Sequence, residues 1–268
     1  MDTPTTAHDI DPHTDACSCG SDHDHGPTGA EIVQSLGKGF AVLSIAVPAL
    51  ALVLTLGALA LTPSTPLVLL VGLGLGLGQL AVLVAMSALA SKAGGAATSG
   101  PGFLVARVGI EEVLRLAVVL IGLVIFRTEL RGALGLWIGV GAMLVWACLT
   151  TAQLVAARRR ILKPGDWSKS TVLSMLDDRI SPRRALALRF ADIAAVLLFQ
   201  VAATVLVAAA PIMVLATIVL ALASGLSTLV VQRYSPERRA SSAWVLAPLG
   251  ISLILALLAV VFVLAPAL

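Results

Sequence analysis

Four ionisable residues stand close together inside an otherwise apolar run: Arg107, Glu111, Glu112 and Arg115. Three of them, Arg107, Glu111 and Arg115, are spaced i, i+4, i+8, which puts them on one face of a helix with neighbours of opposite sign. If that run crosses a lipid bilayer, entering near Arg107, then Arg115 lies about 12 Å in at 1.5 Å per residue. Ionised groups at such depth cost a few kcal/mol each unless paired, and by default they mark a functional site. Asp192, near the start of a later apolar run, lies about 9 Å deep by the same rise. It is the expected partner of Arg115, in a cluster with Glu111 or Glu112. Three glutamines, Gln79, Gln153 and Gln200, also fall in apolar runs and are expected to hydrogen-bond between helices.

A second group of chemically able residues lies at the amino terminus: His8, His13, Cys17, Cys19, His23 and His25, interleaved with Asp. Imidazole, thiolate and carboxylate together suit Zn, Ni or Cu. The spacing is compositional rather than that of a four-ligand site, which shows Cys-x2-4-Cys. All four histidines are in this tail, so no apolar run contains one.

The string Glu111-Glu112-Val113-Leu114-Arg115 resembles the EExxxR signature of the CAAX-protease and bacteriocin-processing family of intramembrane metallo-peptidases. That resemblance implies paired glutamates acting with histidines on later spans. Here the arginine stands one residue closer, and no later span carries a histidine.

The elements that must position these residues follow from composition. With 58% hydrophobic and 12% charged residues, the chain lies far from soluble globular domains, which are about half apolar and a quarter charged. Its formal charge of +3 hides a split. Residues 1–37 hold seven acids and no Lys or Arg, while nine of the eighteen bases fall between Arg158 and Arg189. The bases flank apolar runs instead of forming a soluble patch, which points to membrane topology and anionic lipid headgroups and away from nucleic acid. Arg-rich, Ala/Leu/Val/Gly-rich composition suggests a bacterial genome of high GC content. With three cysteines, one of them within a span, no disulfide framework is indicated.

The expected architecture is an all-α polytopic transmembrane helical bundle of about seven spans with a disordered acidic tail. The tail is 1–37, spans 1–4 occupy 38–157, a basic loop with a short interfacial helix near 171–178 occupies 158–185, and spans 5–7 occupy 186–268. The spans themselves are 40–61, 66–90, 103–126, 133–155, 186–209, 211–231 and 242–265. Within span 2, Gly72 pairs with Gly76 and Gly74 with Gly78 at small-xxx-small spacing, and Gly135 and Gly139 repeat the pattern in span 4. Base counts place the amino terminus in the cytoplasm and the carboxyl terminus outside a plasma membrane.

Two function classes fit. One is a non-enzymatic membrane subunit, scaffold or permease-like component, alone, as a homo-oligomer or with protein partners. The other is a metal-cation transporter in which the tail gathers the ion and Glu111, Glu112 and Asp192 form the path. The two differ in whether those carboxylates line a wet cavity open to one side or are paired and dry.

Overall fold

The computed structural model describes residues 28–63, 66–92, 100–127, 130–163, 165–177, 181–232 and 242–264. Within these residues the chain is a helical bundle: α1 (Gly29–Leu61), α2 (Pro66–Lys92), α3 (Pro101–Phe126), α4 (Arg131–Ile161), α5 (Asp166–Asp177), α6 (Pro182–Ala209), α7 (Val214–Gln232) and α8 (Ala247–Leu264). Short 3-10 turns at Pro211–Met213 and Ala243–Leu246 lead into α7 and α8. Six helical segments are long and apolar enough to cross a membrane: α1, α2, α4, α6, α7 and α8, the last two with their leading turns. The protein is therefore an integral, multi-pass membrane protein. Helix α3, at 26 residues, matches them in length and differs by its buried Glu112 and Arg115.

Contacts between helices establish their directions. Gly72 and Gly76 of α2 meet Ile138 and Val145 of α4, so these two run parallel. Gly135 meets Ala208 and Gly139 meets Val201, so α4 and α6 are antiparallel. Trp137 at the start of α4 donates from Nε1 to Thr62 Oγ1 at the end of α1. Gly132 of α4 abuts Phe262 of α8, while Leu104 of α3 fills the space beside Gly225 of α7 and Glu112 bonds Thr217. Helices α1, α3, α6 and α8 thus start at one end, and α2, α4 and α7 start at the other. The first end collects Lys38, Lys92, Arg158, Arg159, Arg160, Arg183 and Arg184 and carries α5; the second holds Arg127 and Arg131.

Helix α4 is the hub, wrapped by α1, α2 and α6, and its buried face runs from Gly132 to Leu154. Lipid offers no hydrophobic reward for burying one more leucine, so close backbone approach by small residues drives the packing. A Cβ at Gly72 would lie 2.3 Å from the Ile138 carbonyl oxygen, and one at Gly141 would lie 2.6 Å from that of Leu69. The expected Gly72/Gly76 pair is this seam. Gly74 faces open space and Gly78 meets only the Leu114 side chain, so the second expected pair is no backbone seam. Away from the hub, Ile45, Val53, Val124 and Leu257 stand exposed, as lipid-facing side chains must.

Several features differ from the sequence expectation: α4 runs on to Ile161 and α6 starts at Pro182, both inside the stretch assigned to the basic loop, and α3, expected as a span, is not among the six segments apolar enough to cross. Helix α1 begins at Gly29, inside the stretch assigned to the tail, because Thr28 and Glu31 form a reciprocal capping box and Ile32 and Leu36 are buried against Ile161. The interfacial helix is α5, starting at Asp166, five residues before the expected start; Ser168 Oγ accepts from the Gly165 backbone N–H near its beginning. Val172 of α5 packs on the cluster formed by Ile32, Leu36 and Ile161.

Candidate functional site

Glutamates and arginines on α3 end up in two layers. In the outer layer Arg107 Nε donates to Glu111 Oε1 at 2.8 Å, with side chains 34% and 14% exposed. In the inner layer Arg115 Nη1 pairs with Glu112 Oε1, with side chains 1% and 3% exposed. The remaining contacts of the inner pair come from other helices. Arg115 Nη2 donates to Gln200 Oε1 of α6 at 2.8 Å, and the Thr217 hydroxyl of α7 donates to Glu112 Oε2 at 2.7 Å. The Arg115 guanidinium also sits 5.5 Å above the centre of the Phe199 ring, a favourable cation–π geometry.

Arg115 therefore does not pair with Asp192, contrary to the expectation from depth. Its helix starts at Pro101, not near Arg107, so Arg115 lies about 21 Å along α3, whereas Asp192 lies about 15 Å and Gln200 about 27 Å along the parallel α6. Glu112, one turn before Arg115 on the same helix, reaches the guanidinium first. Asp192 is exposed and makes no ion pair within 4 Å among the described residues; Arg189, three residues earlier on α6, acts on it electrostatically.

The two layers share one cavity of about 440 Å³ between α3, α6, α7 and α8, with Trp146 of α4 at its back. Arg107, Glu111, Glu112, Arg115, Asp192 and Gln200 all line it, together with Phe103, Phe199, Ser224, Thr228 and Ser252. The five ionisable residues singled out in the sequence are thus brought to one space, although not to one point. The cavity extends from Gly100 and Pro248 at the base-rich end to Arg115 and Gln200. Arg115 is close to the middle of α3, and Trp146, the middle residue of α4, donates from Nε1 to Gln79 Oε1 near the middle of α2. The cavity floor is therefore at mid-height of the bundle.

Beyond the floor lies a dry layer. Val119, Val207, Ala208 and Val214 form a buried apolar cluster, with Leu116, Leu123 and Ile218 packed around it. Of the three glutamines, Gln79 and Gln200 carry interhelical hydrogen bonds as expected, and Gln153 is exposed on α4.

Sequence reasoning missed Thr217, Ser224 and Thr228. Their spacing of i, i+7, i+11 along α7 puts the hydroxyls on one helical face, and that stripe in an otherwise apolar run was the available signal. It also missed the role of Phe199 and Trp146, whose aromatic character alone says nothing about a cavity. The tail residues His8, His13, Cys17, Cys19, His23 and His25 lie outside the described residues. Among the described residues, no three His, Cys, Asp or Glu side chains converge to hold a metal ion. Glu112 is turned to Arg115 and Glu111 to Arg107.

Compared with protein-family models, curated proteins and solved structures, the chain matches none of them.

Proposed function

We propose that this protein is a non-enzymatic, permease-like component of the membrane whose α3/α6/α7/α8 cavity receives a small solute. One observation carries the reading: the order of layers along the bundle axis. A polar vestibule at the base-rich end leads to an ion-paired floor at mid-height, and a dry apolar plug follows. Solute sites of membrane transporters lie near the midplane, and ionised residues in spans mark their paths. The apolar plug of Val119, Val207, Ala208 and Val214 beyond the floor supports an arrangement open to the base-rich side. By the bias of basic residues, the open side is the cytoplasmic one.

The buried Glu112–Arg115 pair, bonded also to Gln200 and Thr217, favours a second reading, in which the charges only lock helices together in a scaffold or subunit. Cysteine accessibility separates the two. In a background with Cys17, Cys19 and Cys148 replaced by serine, Ser224→Cys is expected to react with a membrane-impermeant thiol reagent applied to the base-rich side, and Val207→Cys is expected to stay unreactive from both sides. Equal protection of both positions refutes the solute cavity and leaves the scaffold.

A further inference from the structure

The charge balance of the cavity says which solutes it favours. Its lining carries three carboxylates, Glu111, Glu112 and Asp192, against two guanidiniums, Arg107 and Arg115. Both guanidiniums are committed, Arg107 to Glu111 and Arg115 to Glu112 and Gln200. The charge left over is that of Asp192, which faces the cavity with no ion pair within 4 Å among the described residues. Arg189 on the same helix tempers that charge but is not part of the lining. Between apolar walls one unbalanced charge focuses its field into the opening, drawing cations and repelling anions.

Three further facts narrow the class. A transition-metal ion needs several nitrogen, sulfur or carboxylate ligands converging on it, and among the described residues no three His, Cys, Asp or Glu side chains converge. The volume of about 440 Å³ is that of a small-molecule pocket, and Phe103 and Trp146 give its walls an aromatic surface that suits a cationic, partly apolar body.

We propose that the cavity takes a monovalent organic cation, the cationic group resting at Asp192 and the rest of the body against the aromatic walls. This rests on reading the cavity as a solute site. The ligand class is a short organic ammonium compound, and a carboxylate is disfavoured.

Matched five-carbon probes test it on the full chain purified in detergent, by calorimetric titration. The expected order is 5-amino-1-pentanol tightest, 1,5-pentanediol at least tenfold weaker for want of the charge, and 5-hydroxypentanoate without measurable binding. Asp192→Asn keeps the side-chain shape, and it is expected to bring the amino alcohol down to the level of the diol while leaving the diol unchanged. The probe series on the unaltered chain is decisive even if that variant fails to fold. Binding of the diol or the hydroxy acid as tight as that of the amino alcohol overturns the cation class and leaves the solute cavity standing. Absence of binding by every probe also overturns it, and labelling of Ser224→Cys then tells whether the cavity reading falls as well.

Discussion

Replacing Arg115 by Met should be far more damaging than replacing Arg115 and Glu112 together by Met and Leu. The two side chains are in direct contact at mid-height of the bundle, 1% and 3% exposed. At about 4 Å between charge centres and an effective dielectric of about 20, their attraction is about 4 kcal/mol. Removing one partner strands the other charge in a dry site, a loss of about 3–5 kcal/mol. Removing both leaves Gln200 without its donor, a penalty of about 1–3 kcal/mol, whereas the Thr217 hydroxyl already reaches the Val214 carbonyl at 2.9 Å and needs no replacement. Summed singles should therefore reach about 6–10 kcal/mol and the double variant about 1–3 kcal/mol. The assay is a double-mutant cycle on reversible unfolding in mixed micelles, followed by tryptophan fluorescence. If the double variant equals the sum of the singles within about 0.5 kcal/mol, the two residues are uncoupled and the ion-paired floor is refuted.

Other consequences can be measured with the same purified protein. Gly72→Leu should abolish correctly folded material in detergent size-exclusion profiles, since even a Cβ there would lie 2.3 Å from a backbone oxygen, whereas Gly74→Ala, facing open space, should be neutral or stabilising by up to about 1 kcal/mol; equal profiles for both would remove the case for an α2–α4 seam. Thr28→Ala breaks the capping box of α1 and should cost about 1 kcal/mol, seen as faster amide exchange confined to the first turn; an unchanged first turn would mean the cap does nothing. Zn, Ni or Cu titrated against the full chain and against a chain lacking residues 1–27 should bind the first alone, because the described bundle has no converging ligands; retention by the truncated chain would restore the metal-transport class.

Much of the fold is legible in one dimension because lipid makes unusually strict demands. Any run of about 20 apolar residues has to be a helix that satisfies its own backbone hydrogen bonds. Hydropathy alone therefore locates α1, α2, α4, α6, α7 and α8, and the charges of α3 do not disguise its length. Alternation of basic ends follows from the same runs, and the contacts Gly72–Ile138 and Gly135–Ala208 agree with it. Even the ionisable residues of interest stand out, since a charge among leucines is conspicuous.

What tertiary structure alone decided is who meets whom. Counting residues from an assumed entry point put Arg115 beside Asp192, but helix α3 starts six residues earlier, and the guanidinium is at the level of Gln200. Two glycine pairs with identical spacing, Gly72/Gly76 and Gly74/Gly78, differ because only one face of α2 is turned to α4. Thr217 gains its role from an antiparallel neighbour more than a hundred residues away in sequence. Helix formation depends on local composition and the solvent, whereas rotation and height of one helix against another depend on how whole surfaces fit, and that fit places the cavity, its paired floor and the plug beyond it.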